Sequence, residues 1–287
     1  MSVAPPTSTR FPKRIIIARH GESKGNISSG AYVTTPDWLI PLSRTGAAQS
    51  KQLGARLRGI VQDEDCYFYT SPYLRTKQTL ATVLSGGDFS ASQIVGIREE
   101  PRLTEQQFGN FQNVAEISAA KNTRIKYGRF YYRFPEGESG LDVYNRCSSF
   151  VNTLHRDFED PDVLRDDDDG NVIMMTHGLT MRLLIMRFFH YNVSDFERSE
   201  NSRNCGLVVL ERREDWRSLP PASVKLSRVF RMTRESRKLI NFPKAGHVNY
   251  ADMVSEVSRE GLTSFAEPAE HIKYWTDKTR VKWKTPF

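Results

Sequence analysis

The chain has 287 residues, enough to bury a large core as one domain or as one domain with an appendage. Its composition is that of an ordinary globular protein, and no apolar run approaches the roughly 20 residues that a membrane-spanning helix needs, which excludes a membrane span. The net charge of +7 favours anionic partners and leaves phosphate esters, nucleic acid and acidic membrane surfaces open.

The N-terminal residues 1–12 are rich in Pro, Ser and Thr, which predicts a flexible arm. They contain no apolar segment of the kind found in a secretory signal. The three cysteines, Cys66, Cys147 and Cys205, are widely spaced, which predicts reduced thiols and no disulfide framework or zinc site. Together these features predict a cytoplasmic location.

Short apolar segments alternate along the chain with segments whose apolar residues recur at helical spacing. The predicted strands are residues 13–19, 66–70, 94–97, 171–176 and 206–210. The predicted helices are residues 45–61, 72–84, 111–129, 141–157 and 180–190. Ser71 is predicted to cap the second of these helices, with Pro72 in its first turn. The alternation favours an α/β fold of three layers, with a largely parallel sheet and helices on both faces.

The domain organisation follows from where this alternation stops. Residues 13–211 are predicted to form one domain with an insertion at 111–134, and residues 212–287 an extension packed on its core. Ten Lys and Arg residues lie between positions 212 and 244, against three acids. Arg228, Arg231 and Arg234 have a three-residue spacing that predicts a basic stripe on a helix. Nucleic acid or acidic lipid binding is therefore an alternative to a solvated surface.

Polar residues follow three of the predicted strands. The first strand ends at Arg19-His20, the second is followed by Arg75, and the fourth by His177-Gly178. Because ligands bind outside the carboxyl ends of the strands in open α/β sheets, we expect these residues to meet at one edge. Each guanidinium group offers a planar pair of donors that matches the oxygens of a phosphoryl group. The sequence therefore predicts a phosphate site there.

The residue types at this site suit phosphoryl transfer. A neutral imidazole can attack phosphorus and form a phosphohistidine, and the second histidine, when protonated, can stabilise the developing charge. Asn26 and the backbone at Gly178 are further candidate donors to the phosphate. Glu105, just after the third predicted strand, is the preferred carboxyl candidate for protonating the leaving group, a step typically worth about 10²–10⁴ in rate.

Several motifs in this order resemble the signature of the histidine phosphatase superfamily, also called phosphoglycerate mutase-like. They are Arg19-His-Gly-Glu-Ser23 with Asn26, Leu42-Ser-Arg-Thr-Gly46, Ser71-Pro-Tyr-Leu-Arg75, Glu105 ahead of Phe108-Gly109, Pro135-Glu-Gly-Glu-Ser139, and Thr176-His-Gly178. The resemblance covers residues 13–211, about two thirds of the chain, and implies the phosphoglycerate mutase-like fold for this catalytic domain.

The resemblance also implies roles for individual residues. His20 would be the nucleophile and Glu105 the proton donor. Arg19, Asn26, Arg75 and His177 would surround the phosphate, and Ser23 stands where the family contacts substrate. The resemblance implies no metal and no cofactor. The acidic run at 166–169 lacks the carboxylate that a calcium loop needs at its last position and is predicted to be a solvated loop.

Residues 109–112 and 128–139 resemble a plant and fungal branch of the family that has phosphatase activity. Cofactor-dependent mutases of the family carry an Arg-Arg-Ser-Tyr/Phe-Asp segment in the insertion, whereas this chain has Arg129 and Arg133 at a different spacing. Lys121 and Lys126 are further candidates for the second anion site that a mutase requires. The aromatic residues Phe130, Tyr131 and Tyr132 predict a partly apolar substrate wall.

We therefore predict a phosphomonoester hydrolase that acts on a small phosphorylated substrate. A phosphoglycerate mutase is the first alternative. A phosphate-binding or RNA-binding adaptor without turnover is the second. The sequence does not indicate an oligomeric state.

Overall fold

The computed structural model describes residues 10–110, 113–165, 170–219 and 225–242, and its centre is a six-stranded sheet. The strands are β1 (Arg14–Arg19), β2 (Cys66–Thr70), β3 (Ile94–Glu99), β4 (Asn171–Thr176), β5 (Leu207–Arg212) and β6 (Phe230–Met232). Their order across the sheet is β3-β2-β4-β1-β5-β6. The first four are mutually parallel, whereas β5 runs antiparallel to both β1 and β6. The predicted largely parallel sheet is confirmed.

Helices connect the strands and cover the sheet. The α-helices are α1 (Lys24–Ile27), α2 (Ala31–Thr34), α3 (Arg44–Val61), α4 (Leu74–Gly86), α5 (Val114–Tyr127), α6 (Gly140–Asp157), α7 (Gly178–Phe189), α8 (Val193–Arg198), α9 (Leu226–Val229) and α10 (Arg234–Ile240). Short 3₁₀ turns occur at Asp37–Leu39, Pro101–Leu103 and Glu214–Ser218. In the described part of the chain, no helix has the length and apolar character needed to cross a membrane.

Successive residues of the central strands point to opposite faces, and each face carries its own apolar core. Ile16 packs in one core with Leu53 and Leu57 of α3. Ile15 packs in the other with helices α6 and α7, through residues such as Phe150 and Leu184. All six side chains are at most 1% exposed, and each contributes roughly 1.5–3 kcal/mol by its burial. The prediction of helices on both faces is therefore confirmed.

Two helix starts differ from the predictions, and both differences affect the sheet edge. Ser71 does not cap α4, which begins at Leu74 after the N-cap residue Tyr73. The predicted cap is wrong because the Ser71 hydroxyl contacts His177, 2.9 Å from its Nε2 atom. Helix α7 begins at Gly178, two residues earlier than predicted, and His177 is its N-cap residue.

The chain after β5 contributes an edge strand. Strand β6 pairs with β5 between the short helices α9 and α10. Arg228, Arg231 and Arg234 lie on α9, β6 and α10 in turn, so the predicted basic helix stripe is wrong because the chain changes element twice between them. The residues at 1–9, 111–112, 166–169, 220–224 and 243–287 lie outside the described part of the chain, and with them the acidic run, Lys244 and most of the predicted arm at 1–12. Of that arm, the structure describes residues 10–12, and Phe11 is fully buried in the core, which does not fit a flexible arm at this position.

Candidate functional site

Two histidines from distant parts of the sequence meet at the carboxyl ends of β1 and β4. The backbone N–H of His20 donates to the carbonyl of Thr176, at 3.0 Å, and His177 follows directly. The centroids of the two imidazole rings lie 5.1 Å apart with an interplanar angle of 61°. Both residues are almost completely buried. The sheet therefore brings the two predicted histidines into contact.

The environment of His20 favours a neutral ring with one free nitrogen. Burial lowers its pKa well below 6.5, and the positive charges of Arg75 and Arg19 lower it further. Its Nδ1 atom lies 2.6 Å from the carbonyl oxygen of Gly21, an acceptor, so Nδ1 carries the proton and donates. The lone pair is then on Nε2, the form that a nucleophile requires.

His177 is held by a hydroxyl group at the end of β2. Burial also lowers its pKa well below 6.5, with Arg75 as the next largest cause. As a neutral ring it can accept a hydrogen bond at Nε2 from the Ser71 hydroxyl, 2.9 Å away. The proton is then on Nδ1, which is buried and has no hydrogen-bond partner in the part of the chain that the structure describes. A neutral His177 can thus donate to a phosphate oxygen without being protonated, whereas the residue types in the sequence predicted the protonated ring in this role.

The two predicted arginines flank the histidines. Arg19 donates to the carbonyl of Ser202, and its buried Nε has no partner among the described residues. Burial lowers the pKa of Arg19, the charge of Glu105 raises it, and Arg75 lowers it further. Arg75 is 2% exposed and donates to both the main-chain oxygen and the carboxylate of Asp37, at 2.7 and 2.8 Å. Both guanidinium groups are fixed close to the imidazoles, as a phosphate site requires.

A close crossing of two backbones fixes the loop after β1. A Cβ atom on Gly21 would lie 2.5 Å from the carbonyl oxygen of Gly46, so only glycine fits there. The carboxylate of Glu22 accepts from the hydroxyl of Ser43, the N-cap residue of α3, at 2.6 Å. Glu22 therefore ties the loop after β1 to the Leu42–Gly46 motif, to which Ser43 belongs.

The same loop places Ser23 and Asn26. Ser23 is 1% exposed, and both its backbone N–H and its hydroxyl donate to the Asn26 side-chain oxygen. Asn204 donates to that same oxygen and to the carbonyl of His20, at 3.1 and 3.2 Å. These bonds occupy the oxygen of Asn26 beside His20 and leave its amide nitrogen as the group that can donate to a phosphate.

Glu105 lies at the same sheet edge and is half-buried. One of its carboxylate oxygens accepts from the backbone N–H of Gln106 at 3.0 Å, and the hydroxyl of Thr180 lies 3.4 Å away. Its charge raises the pKa of Arg19, which places it within electrostatic range of that guanidinium group. The structure therefore brings the predicted carboxyl candidate close to a predicted arginine.

An aromatic cleft adjoins these residues. Its volume is about 360 Å³, and its aromatic lining consists of Tyr32, Trp38, Tyr73 and Phe108. Tyr73 contacts the ring of His177, with centroids 5.1 Å apart, so the cleft opens beside the histidine pair.

The predicted aromatic wall at residues 130–132 does not line this cleft. Phe130 is 4% exposed and packs in the core against Phe196, whereas Tyr131 is 58% exposed. Tyr132 packs against Phe134. The prediction is wrong because three consecutive aromatic residues in a loop do not show which of their side chains point inward.

Helix α5 of the insertion brings a lysine against two rings of the cleft and an arginine within electrostatic range of Glu105. Lys121 Nζ lies 5.7 Å from the ring centroids of both Tyr32 and Phe108, and Arg124 stacks over Phe134. Burial lowers the pKa of both side chains, and for Arg124 the charge of Glu105 opposes it. Neither forms an ion pair within the described ranges. By contrast, Arg133 pairs with Asp142.

Some residues that shape the site were not found from the sequence. Asp37 and Ser71 anchor Arg75 and His177 over long sequence distances, and only the Ser-Pro-x-x-Arg motif hinted at Ser71. Arg182 is 1% exposed and donates to Asn201, whose side chain packs against Gly178. No sequence signal pointed to Asp37 or Arg182. Within the described residues, no group of three or more His, Cys, Asp or Glu residues could hold a metal ion.

Comparisons with known proteins identify relatives. The family model described as the histidine phosphatase superfamily (branch 1) matches residues 15–220. The phosphoglycerate mutase-like protein AT74H of Arabidopsis thaliana is 44% identical over 211 residues, covering 70% of this chain and 74% of that protein. The broad-range acid phosphatase DET1 of Saccharomyces cerevisiae is 27% identical, covering 70% of this chain and 85% of that protein.

A solved structure shows the same fold. The mycobacterial glucosyl-3-phosphoglycerate phosphatase in complex with VO₃ superposes with a TM-score of 0.55 at 19% identity, covering 81% of this chain and 99% of that one. The predicted phosphoglycerate mutase-like fold and the resemblance to plant and fungal members are both confirmed.

Proposed function

Because the chain belongs to the histidine phosphatase superfamily, we propose that it is a phosphomonoester hydrolase with a phosphohistidine intermediate at His20 and Glu105 as proton donor. The observation that carries the proposal is the contact between two buried imidazoles, 5.1 Å apart, flanked by Arg19 and Arg75. Burial, and then the positive charges of Arg75 and Arg19, lower the pKa of His20, so the nucleophile is neutral.

In the first step the Nε2 lone pair of His20 attacks phosphorus. The N–P bond forms as the P–O bond to the leaving group breaks, and Glu105 gives its proton to the departing oxygen. Arg19, Arg75, Asn26, the Nδ1–H of His177 and the backbone N–H of Gly178 at the start of α7 donate to the phosphoryl oxygens. Ser23 contributes as a substrate contact in this arrangement.

In the second step water attacks the phosphohistidine. The Glu105 carboxylate takes the proton from water, the O–P bond forms, and the N–P bond breaks to return neutral His20 and inorganic phosphate. Each chemical step thus uses the same carboxyl group in opposite protonation states. No metal ion takes part in either step.

The leaving group of the substrate occupies the aromatic cleft. Tyr32, Tyr73 and Phe108 offer ring faces beside the histidines, which suits a leaving group with an apolar or aromatic body. Lys121 lies against two of these rings, so an anionic substituent on the leaving group would find a cation there. We therefore propose a small organic phosphate ester as the substrate class.

Mutase activity is the second candidate, and Lys121 with Arg124 is the observation that favours it, since a mutase must hold a second anionic group. Arg129 lies near Arg124, whose pKa its charge lowers. Arg133 forms an ion pair with Asp142, and Lys126 is exposed, so these two side chains are weaker candidates for the second anion site. Addition of 2,3-bisphosphoglycerate to 3-phosphoglycerate separates the two activities. A mutase converts the 3-phosphoglycerate to its isomer, whereas the hydrolase releases inorganic phosphate.

The test of the proposed function traps the intermediate. A short incubation with a ³²P-labelled phosphate ester, quenched in base, should give a phosphoprotein that acid destroys and base preserves. His20→Ala should lack it and lose roughly 10³-fold or more in turnover. His155→Ala, a histidine on α6, is the control and should keep both. Label that persists in His20→Ala would refute the nucleophile, and binding without any turnover would favour the adaptor alternative.

A further inference from the structure

A half-buried arginine of α6, Arg146, holds the loop that carries Glu105. Arg146 Nη1 donates to the carbonyls of Arg102 and Thr104, at 2.7 and 2.9 Å. Its Nη2 donates to the carbonyl of Glu105 itself, at 3.1 Å. Three carbonyl groups within four residues thus converge on one guanidinium group.

That guanidinium group is in turn fixed by Glu138 from the Pro135–Ser139 motif. Arg146 Nε and Nη2 bond to the two carboxylate oxygens of Glu138, at 2.9 and 3.0 Å, in the bidentate geometry that fixes an arginine most firmly. Both side chains are less than 20% exposed. Burial lowers the pKa of Arg146, but the hydrogen bond to Glu138 together with nearby negative groups, among them Glu138 and Glu105, raises the pKa overall, so the guanidinium group stays charged.

Glu138 also grips the far end of the same loop. Its carboxylate accepts from the backbone N–H of Gln107 at 3.0 Å, and its own N–H donates to the Gln107 carbonyl at 2.9 Å. The side chain of Gln106 donates to the carbonyl of Glu138 at 2.8 Å. The Arg146–Glu138 pair therefore clamps the backbone on both sides of Glu105.

By comparison, the Glu105 carboxylate has few bonds of its own. Its contacts among the described residues are the N–H of Gln106 and a hydroxyl of Thr180 at 3.4 Å. The position of the carboxyl group is therefore set mainly by the backbone that Arg146 holds. A displacement of about 1 Å at a reacting group can cost roughly 10²-fold in rate.

We propose that Arg146, paired with Glu138, is the positioning residue that places the Glu105 carboxyl group at the leaving-group oxygen. The proposal rests on the proposed function, in which Glu105 protonates that oxygen. A positioning residue for a proton donor has a specific signature, because substrates whose leaving group departs without a proton do not need it. A residue that only supports the fold affects all substrates alike.

The experiment compares phenyl phosphate, a poor leaving group, with 2,4-dinitrophenyl phosphate, which departs without protonation. The value of kcat/KM reports the phosphorylation of His20, the step that includes the leaving group. For Arg146→Met we expect a loss of about 10–100-fold with phenyl phosphate and about threefold or less with the dinitrophenyl ester. Glu105→Gln should show the same selectivity, and the double variant should lose little more than Glu105→Gln alone.

Controls separate the outcomes. Arg98→Met breaks an ion pair with Asp157 that does not touch the loop, and should show no selectivity between the two esters. If circular dichroism shows that Arg146→Met does not fold, Glu138→Gln tests the same pair through its other member. It should also lose more with phenyl phosphate than with the dinitrophenyl ester, by a smaller factor than Arg146→Met. Equal losses with both esters, or no loss with either, would overturn the proposal. The proposed function fails separately, if His20→Ala retains turnover of both esters.

Discussion

The Ser71 hydroxyl lies 2.9 Å from Nε2 of His177, and this contact determines which nitrogen of the buried imidazole carries the proton. Ser71 itself accepts from the backbone N–H of Tyr73 at 3.4 Å, which directs its proton towards the ring. The Nδ1–H of His177 is thereby kept for an acceptor outside the described protein groups. A serine that precedes α4 thus sets the tautomer of a histidine at the end of another strand.

Removal of this hydroxyl should impair turnover without unfolding the protein. In Ser71→Ala the His177 ring no longer accepts a hydrogen bond at Nε2. The ring can then take the tautomer with its proton on Nε2, which leaves no proton on Nδ1 for the phosphate. We expect kcat to fall about tenfold or more, as for the loss of one oriented donor. Ser85→Ala, on the exposed side of α4, is the control. Equal kcat values in the two variants would show that Ser71 does not orient the ring.

The buried histidines also predict how stability depends on pH. Their pKa values in the folded protein lie well below 6.5 because burial and the nearby arginines disfavour the charged ring. The unfolded chain takes up protons as the pH falls through 6.5, while the folded protein does not, so acid favours unfolding. Each histidine should lower the free energy of unfolding by about 1.4 kcal/mol per pH unit below pH 6, until its folded-state pKa is reached.

Urea unfolding between pH 7 and pH 5 measures this slope. His20→Gln and His177→Gln should each reduce it relative to the wild-type protein, because one titrating group is removed from the unfolded state. The carboxylates contribute equally to all three proteins and cancel from the comparison. Parallel curves for the wild type and both variants would contradict the assignment of neutral, buried rings.

Much of the fold followed from the sequence, for a physical reason. Strands buried on both faces read as continuous apolar runs, so β1 and β4 were predictable, and parallel topology then forced His20 and His177 to one edge. The antiparallel direction of β5 was not predictable, because an apolar run carries no information on the direction of the strand in the sheet. Asp37 and Arg146 were missed because their partners are fixed only by tertiary packing.

The ion pair between Asp37 and Arg75 predicts how the site responds to phosphate. The Asp37 carboxylate reduces the positive potential at Arg75. Burial raises the pKa of this carboxyl group, and the opposing effect of Arg75 does not cancel the increase. In Asp37→Asn the main-chain oxygen of residue 37 still holds the guanidinium group, while the site gains one positive charge. The inhibition constant of inorganic phosphate should therefore fall about three- to tenfold.

A matched variant is available for this measurement. Asp63→Asn removes an exposed carboxylate that pairs with Arg58 far along α3, and should leave phosphate inhibition unchanged. Arg75→Lys should weaken inhibition, because a single ammonium group cannot replace the bidentate guanidinium. If Asp37→Asn weakened inhibition as Arg75→Lys does, the carboxylate would be needed to position Arg75 and its charge would be secondary.

Lys121 should select for leaving groups that carry a negative charge. Its ammonium group lies against Tyr32 and Phe108, two rings of the cleft, and burial together with Arg124 lowers its pKa. A carboxylate on the leaving group would restore the solvation that the cation loses there. Lys121→Met should therefore lower kcat/KM for 3- or 4-carboxyphenyl phosphate about tenfold, and change it little for the corresponding methyl esters.

Lys126 on the same helix provides the control, since it is exposed and has the same charge. Lys126→Met preserves the cleft and alters the net charge of the protein by the same amount, so it corrects for long-range attraction of the anionic substrate. The quantity to compare is the ratio of kcat/KM between each acid and its methyl ester. A ratio that falls in Lys121→Met alone places the charge recognition at the cleft, because the contact with the two rings is the feature that distinguishes the lysines. Equal ratios in both variants would mean that Lys121 only packs against the rings of the aromatic cleft and does not recognise the charge of the substrate.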